Sequence, residues 1–203
     1  MTEDKQEEKR QRIAEAALAL LAEKGYRSTS MLQIAKRASV SNQTLYAWYG
    51  NKQGLFRRLI ESNGERVQGM LSRALAEQDD PLQTLSALGP LLLGFTTSES
   101  AIIVNRAAIT DAGETGILGE AIESAARGEI VALTSSLMRR LIESRVFATE
   151  TDPDDATETY ISLLFGEVQI RQARGQLGPL DEAEISRRAE RALALTCRLY
   201  GAG

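Results

Sequence analysis

Three adjacent residues, Asn42, Gln43 and Thr44, carry polar side chains that can donate and accept hydrogen bonds. Ala47 follows Gln43 after one helical turn and has a small side chain. On an exposed helix, residues of these types fit against base edges and phosphates without blocking close approach. This group therefore predicts hydrogen-bonded recognition of DNA.

Two short helical patterns within Thr29–Lys52 can position these side chains. The residues Ser39–Ser41 separate the two patterns, and Ser41 is a good N-cap for the second helix. Two helices joined by a turn of about three or four residues form a helix-turn-helix, whose second helix can enter the DNA major groove. The apolar residues that predict the helices are Ile34, Ala35 and Ala38 in the first and Leu45 and Tyr49 in the second.

Positive charge is concentrated around the same segment. Between Lys24 and Ile60 there is no Asp or Glu, but there are seven Lys and Arg residues. Residues 1–60 carry a net charge of +5, whereas the other 143 residues carry −9. A basic segment on an acidic chain indicates a local nucleic-acid surface. The alternative, a merely solvated basic face, does not explain why the acid-free run coincides with the helix-turn-helix pattern.

The run Ile13–Leu55 resembles the N-terminal DNA-binding domain of TetR-type transcriptional regulators. The matching pieces are the amphipathic first helix, Gly25-Tyr26, Thr29-Ser30, Ile34-Ala35, Val40-Ser41, Thr44-Leu45-Tyr46 and Asn51-Lys52. The chain departs from the family at Ser39, where Gly is usual, and at Gln43, where Gly is frequent. If the backbone at Ser39 is left-handed, a non-Gly residue there costs roughly 1–2 kcal/mol. The long amide of Gln43 predicts an operator that differs from the family average.

We expect two kinds of DNA contact from this domain. Asn42, Gln43 and Thr44 are the predicted base-contacting residues. Ser30, with Gln33 three residues later, fits a capping box, and a helix N-terminus with free amides can also bind phosphate. Trp48 either packs in the core or donates its indole N–H to the DNA backbone. The resemblance implies that Tyr46 and Lys52 contact phosphates. The predicted contacts to the DNA backbone are therefore Thr29, Ser30, Tyr46, Trp48 and Lys52.

The composition argues against other classes of function. The chain has no His, one Cys (Cys197) and no GxSxG or P-loop run, so we predict that it is not an enzyme and uses no metal or other cofactor. The acidic cluster of residues 152–155 is open to two interpretations, a metal site or negative charge at a helix N-terminus, and we favour the second. No apolar run approaches the roughly 18 residues of a membrane span, and there is no signal-peptide pattern, so we expect a cytoplasmic protein.

Strand patterns are missing, and the sequence predicts an all-α protein with two domains. Residues 1–51 form the three-helix DNA-binding domain, and residues 52–203 form a helical effector-binding and dimerisation domain, in which a connecting helix runs from Lys52 to about Glu77. We expect Pro90 to kink or split a helix, because proline removes a helical hydrogen bond. The further predicted helices lie near 82–97, 100–111, 115–145, 154–175 and 181–200.

The last two helical segments carry apolar stripes that fit either core or interface. The resemblance implies a homodimer formed by these helices and the same helices of a second protomer. A dimer also predicts a palindromic operator, because its two DNA-binding domains, here called heads, then bind two half-sites. The residues predicted for the dimer interface are Tyr160, Leu163, Leu164, Val168, Ala189, Leu193, Thr196 and Tyr200.

The resemblance further implies a pocket for a small-molecule effector in the helical body. The candidate lining residues are Met70, Leu92, Phe95, Val104, Asn105, Phe165 and Gln169, and their character indicates an apolar, neutral or anionic effector. Together these inferences predict a transcriptional regulator, a repressor that the effector releases from its operator. The alternative is a helix-turn-helix protein without an effector, either architectural or controlled by a protein partner. The acidic body of about 150 residues argues for a separate task and against that alternative.

Overall fold

The computed structural model describes residues 3–202, without the side chains of residues 3, 4, 63, 66, 125 and 126. Within these residues the protein is all-α, as predicted, and no single helix is long and apolar enough to cross a membrane. A π-helical turn, Glu123–Arg127, lies between α7 and α8. The helices are α1 Glu3–Ser28, α2 Met31–Arg37, α3 Asn42–Tyr49, α4 Lys52–Glu77, α5 Pro81–Thr96, α6 Glu99–Asp111, α7 Ile117–Ile122, α8 Gly128–Glu143, α9 Pro153–Phe165, α10 Val168–Ala173 and α11 Glu182–Tyr200.

The chain divides into two compact units. The first unit contains α1–α3, the start of α4 up to residue 63, and residues 103–125. Its core confirms the predicted amphipathic first helix, because the apolar residues of α1 are buried. The α1 helix packs against α2, and α2 packs against α3. Tyr26 packs edge-on against Phe56 of α4, with 5.4 Å between ring centroids. The fully buried aliphatic residues of this core include Ile13, Leu21, Ile34, Leu45 and Leu55.

The second unit contains residues 64–102 and 126–203. Here α11 packs against α5 and α9, and α9 also packs against α8. Tyr160 of α9 is fully buried, and its hydroxyl donates a hydrogen bond to the Leu85 carbonyl of α5 at 3.2 Å. Burial raises the pKa of this hydroxyl, so it stays a neutral donor. The domain boundary predicted between residues 51 and 52 is not tested by this division into units and stays a prediction.

Aspartate caps start three helices of the second unit. Asp80 accepts hydrogen bonds from the amides of residues 82 and 83, and Asp181 accepts one from Glu184. Asp152 accepts hydrogen bonds from the amides of Asp154 and Asp155, with Pro153 in the first turn of α9. The acidic cluster around Pro153 therefore places negative charge at a helix N-terminus, as the favoured interpretation predicted.

The predicted helix pattern needs three corrections. The α5 helix runs unbroken through Pro90, so proline does not split it. The segment predicted at 115–145 is divided by the π-helical turn, and the segment at 154–175 is divided at Gly166, whose φ of 47° ends α9. Periodicity alone could not place these breaks, because both halves keep the same helical spacing of apolar residues.

The predicted dimer interface also needs correction. Five of its residues are buried inside the protomer and leave little surface for a partner: Tyr160, Leu164, Val168, Ala189 and Thr196. Leu163, Leu193 and Tyr200 are half-buried and keep part of their surface open. The interface itself stays a prediction.

Candidate nucleic-acid interface

Hydrogen bonds fix the start of α2. Ser30 is the N-cap, and its Oγ accepts a hydrogen bond from the Gln33 amide at 3.3 Å, while the Ser30 amide donates to Gln33 Oε1 at 2.9 Å. This is the predicted capping box. Ser30 is exposed, so the first turn of α2 presents free backbone amides and a hydroxyl at the surface. Such a helix end suits a phosphate.

The α3 helix is oriented by one buried side chain and one cap. Leu45 is completely buried, and Ser41 Oγ accepts a hydrogen bond from the Thr44 amide at 3.0 Å. This arrangement exposes Asn42 and Gln43, whereas Thr44 is half-buried and its hydroxyl lies 2.8 Å from Ser41 Oγ. Asn42 and Gln43 therefore have more exposed side chains than Thr44, the third predicted base-contacting residue.

The turn between α2 and α3 passes through a left-handed residue. Ser39 has a φ of 55°, at the position where the resemblance leads one to expect glycine. A serine side chain at this φ crowds the following carbonyl oxygen, which costs roughly 1–2 kcal/mol. The strain is local, because the Ser39 and Val40 amides still donate hydrogen bonds to the carbonyls of Lys36 and Ala35.

Replacing Ser39 with glycine is expected to stabilise the protein by about 1 kcal/mol, since glycine adopts this conformation without a Cβ clash. Thermal unfolding should show a midpoint about 2–4 °C higher. The matched control is Ser186→Gly in α11, the same chemical change on an exposed helix, where it should destabilise by about 0.5 kcal/mol. A lower midpoint for Ser39→Gly would contradict the strained turn.

Thr29 occupies a different place from the predicted one. Its side chain is 2% exposed, and Oγ1 donates a hydrogen bond to the Gly25 carbonyl at 2.8 Å. Gly25 has a φ of 73° and interrupts the helical backbone of α1, so its carbonyl lacks the usual helical partner. The Thr29 hydroxyl satisfies that carbonyl and is not available to DNA. We therefore remove Thr29 from the predicted backbone contacts.

The aromatic residues of α3 differ in exposure. Tyr46 is 49% exposed, which leaves its ring and hydroxyl accessible to a phosphate. Trp48 is half-buried, and the Arg10 guanidinium lies over its ring, 5.8 Å from the centroid. Tyr49, one of the apolar residues that predicted this helix, is half-buried, and its ring lies edge-on to Trp48 with 6.4 Å between centroids. The N-terminal part of α1 therefore supports the end of the recognition helix.

Lys52 links the end of α1 to the start of α4. Its Nζ donates a hydrogen bond to the Tyr26 carbonyl at 2.8 Å and lies 4.2 Å from the centroid of the Tyr26 ring. Burial lowers the pKa of the Lys52 ammonium group, and the negative charge of Asp111 opposes that shift. Lys52 is only half-buried, so a phosphate contact remains a prediction, but this side chain already has an internal role.

Asp111 is not among the residues predicted from the sequence. This residue ends α6, is 3% exposed, and accepts hydrogen bonds from the Thr115 hydroxyl at 2.7 Å and the Leu118 amide at 3.3 Å. Its charge also contributes, after burial, to raising the pKa of Tyr26. The available signal was an aspartate four residues before a threonine, at the break between the helices predicted near 100–111 and 115–145. Asp111 thus joins residues 103–125 electrostatically to the first helices.

Replacing Lys52 with methionine is expected to destabilise the DNA-free protein by about 1–2 kcal/mol, because a charged donor to a carbonyl is lost. Lys24→Met is the matched control, since Lys24 is exposed and carries the same charge. Chemical denaturation of both variants measures the difference. Equal unfolding free energies for the two variants would show that the bond from Lys52 to Tyr26 contributes no stability.

The basic surface is smaller than the sequence suggested. Arg37 forms an ion pair with Glu23 at 2.7 Å, and Arg27 forms one with Glu114 at 3.8 Å. Both carboxylates lie outside the acid-free run, in which Lys36 remains an exposed cation. The charge near α2 and α3 is therefore partly neutralised by neighbouring elements of the first unit.

The predicted effector residues are distributed over both units. Leu92 is buried, whereas Met70, Phe95 and Phe165 are half-buried and Gln169 is exposed. Val104 and Asn105 belong to the first unit, and the other five belong to the second. The pocket remains a prediction.

Two family profiles match the chain. The profile of the bacterial regulatory proteins of the tetR family matches residues 13–59, and that of the AefR-like transcriptional repressor C-terminal domain matches residues 83–202. Among curated relatives, the regulator YvkB of Bacillus subtilis is 35% identical over 82 residues, which are 40% of this chain and 42% of YvkB. The repressor KstR of Mycolicibacterium smegmatis is 33% identical over 81 residues, 40% of each chain. The chain thus spans about two fifths of the length of these relatives.

Solved structures match over nearly the whole chain. A protein of Mesorhizobium loti assigned to the TetR family is 25% identical with a TM-score of 0.76, covering 99% of this chain and 100% of that one. The flavonoid-responsive regulator FrrA is 25% identical with a TM-score of 0.67, covering 95% and 97%. FadR of Bacillus subtilis, solved with stearoyl-CoA, has a TM-score of 0.72 over 92% and 97% but is 16% identical, so it shows the fold alone.

Proposed function

The chain belongs to the TetR family of bacterial transcriptional regulators, and on that premise we propose that it is a homodimeric repressor that binds a palindromic operator. Binding of a small-molecule effector to the helical body releases the operator. Because a transcriptional regulator acts where the DNA is, we propose that this one works in the cytoplasm.

The recognition helix supplies the observation that carries this proposal. Leu45 is fully buried and fixes α3, so that Asn42 and Gln43 project from its exposed side in a head free of acidic residues from Lys24 to Ile60. Amide side chains can form paired hydrogen bonds with adenine in the major groove. We assign base contacts to these two residues, with Thr44 in a lesser role.

Backbone contacts hold the head on the duplex. Ser30 offers the N-terminus of α2, Tyr46 offers an exposed hydroxyl, and Trp48 offers an indole N–H. Lys52 can add a phosphate contact only if its ammonium group binds the phosphate while it keeps its hydrogen bond to the Tyr26 carbonyl, or if it gives that bond up. Contacts of this kind set position and salt dependence but do not select sequence.

The effector is proposed to be an apolar molecule. FrrA is described as flavonoid-responsive and FadR of Bacillus subtilis was solved with stearoyl-CoA, so two proteins of this fold are linked to compounds that contain a large apolar part, aromatic rings or an acyl chain. The candidate residues in this chain are mostly apolar as well. Effector binding can shift the protein between a DNA-bound and a released state only by its differential affinity for the two. We propose that a tilt of α4 changes the spacing of the two heads.

The test is a titration of the protein into a labelled operator duplex, with and without each member of a panel of apolar compounds. The panel includes flavonoids and also long-chain acyl-CoA thioesters, which carry an apolar chain on a charged group. The proposal is supported if at least one compound releases the protein from the operator and the operator affinity falls as the concentration of that compound rises. Equal operator binding with and without every compound contradicts the effector and favours an architectural or partner-controlled protein.

A further inference from the structure

A buried polar atom of the second unit has no hydrogen-bond partner among the described residues. It is Nε2 of Gln68, in the part of α4 that belongs to this unit. A buried donor without a partner costs free energy, because it has lost the water to which it was bonded in the unfolded chain. Buried donors of native proteins are therefore nearly always paired, with the protein itself, with water or with a bound molecule. The Gln68 amide is a donor still available to such a molecule.

The other buried polar side chains that the structure describes in this unit are paired. Gln172 has the same amide and is 2% exposed, and its Nε2 donates a hydrogen bond to the Gly178 carbonyl at 2.9 Å. The buried hydroxyl groups are paired as well, those of Thr84, Thr97, Thr134, Ser135, Thr157 and Thr196. An unpaired amide is thus an exception within this core, which singles out Gln68.

Gln68 lies on the buried side of α4. Leu71, one turn later, is fully buried in the core, and Leu75, a further turn on, packs against the same core. Gly64, one turn earlier, is buried and contributes no side chain. Because a helical side chain covers the turn before its own Cα, the Gln68 amide lies over Gly64. Gln68 as a whole is half-buried, so its amide lies at the edge of the core, within reach of a molecule that enters there.

We propose that the Gln68 amide donates a hydrogen bond to the effector, and that the effector carries a neutral acceptor, a carbonyl oxygen, on its apolar body. This proposal rests on the effector binding proposed above and names the chemical group that is recognised. A carboxylate is disfavoured, because a buried anion needs a positive partner and a glutamine amide carries no charge. A pure hydrocarbon would leave the donor unpaired.

The position of Gln68 also connects the ligand to the helix whose tilt is proposed to change the spacing of the heads. Lys52, at the start of the same helix, donates a hydrogen bond to the Tyr26 carbonyl. A ligand that bonds to Gln68 therefore contacts α4 directly. The predicted lining residues Phe95 and Phe165 add apolar contact but have no donor for a carbonyl oxygen.

The ligand-free protein tests whether the amide is unpaired. Gln68→Leu replaces it with an apolar side chain of similar size and should raise the midpoint of thermal unfolding by about 2–4 °C, because a buried unpaired donor is removed. Gln172→Leu is the matched control and should lower the midpoint by a similar amount, because the Gly178 carbonyl loses its donor. A lower midpoint for Gln68→Leu as well would contradict the proposal, since the amide would then be paired without a ligand.

Matched pairs of ligands test what the amide binds. Flavone and flavan share one ring skeleton, but only flavone has a carbonyl group, and octanophenone and octylbenzene differ in the same way. Isothermal titration calorimetry of the full-length protein should show at least one carbonyl compound binding about tenfold or more tighter than its partner, because one hydrogen bond to a buried donor is gained. In Gln68→Leu the two members of that pair should bind within about twofold of each other.

The outcomes separate the role of Gln68 from the effector itself. If a pair binds without preference for the carbonyl compound, or if Gln68→Leu keeps the preference, Gln68 does not recognise a carbonyl, while the proposed effector binding stands. If none of the four compounds binds, the carbonyl proposal is wrong, and release of the operator by the wider panel decides the proposed function separately. Circular dichroism of Gln68→Leu, expected to match that of the unmodified protein, excludes misfolding as the cause of a lost preference.

Discussion

Replacing Gln43 with alanine is expected to lower affinity for the operator about 10- to 100-fold and to leave affinity for random DNA within twofold. One paired hydrogen bond to a base contributes about 1–3 kcal/mol of discrimination, and Gln43 is exposed on the recognition helix. Non-specific affinity depends on phosphate contacts, which this change does not remove. Fluorescence anisotropy with operator and random duplexes at the same salt concentration measures both quantities.

Tyr46→Phe is the companion variant, since it removes an exposed hydroxyl from the same helix and keeps the ring. It should weaken binding to operator and random DNA by similar factors, because a phosphate contact carries no sequence information. A Gln43→Ala protein that loses affinity for both duplexes equally would contradict base recognition by Gln43 and assign it to the backbone.

Replacing Gly89 with alanine is expected to destabilise the protein by about 2–3 kcal/mol. A Cβ at this position would lie 2.8 Å from the Tyr160 hydroxyl and 2.9 Å from Ala189 Cβ, both in the packed core between α5, α9 and α11. Neither neighbour can yield easily, since Tyr160 is fully buried and bonded to Leu85 and Ala189 belongs to the α11 helix. Overpacking of this kind typically costs about 1–3 kcal/mol, which lowers the unfolding midpoint by several degrees.

Gly94→Ala is the matched control in the same helix, because a Cβ there meets no atom within 4 Å. It should stabilise by about 0.5–1 kcal/mol through the higher helix propensity of alanine. The combined variant Gly89→Ala/Ala189→Gly removes one of the two clashes and should recover part of the loss. Unfolding free energies for Gly89→Ala equal to or above that of the unmodified protein would contradict the close packing of α5 against α11.

The local structure of the head could be predicted from the sequence because local rules govern it. The Ser30 and Ser41 caps depend on residues at most three positions away, and the burial of Leu45 follows from helical spacing. Thr29 and Ser30 show a case that local sequence rules cannot decide. Both are hydroxyl residues beside a helix start, but only the fold shows that Thr29 faces inward to the Gly25 carbonyl.

The body could be predicted as helices but not as surfaces. A stripe such as Tyr160, Leu164 and Val168 has the same spacing whether it faces its own core or a partner, and the structure places all three in the core. The bond from Lys52 to Tyr26 and the influence of Asp111 on both depend on residues 26 to 85 positions apart. No pattern in a single sequence encodes such distant neighbours.

Selection of bound sequences from a random duplex library, with the purified protein at a stated salt concentration, tests the central claim most directly. A sequence-specific dimer predicts enrichment of one palindromic site whose half-sites are separated by about one helical turn or a multiple of it. The enriched site would then locate the regulated genes. Enrichment of nothing beyond base composition would contradict sequence-specific repression and leave a protein that binds phosphates without recognising bases.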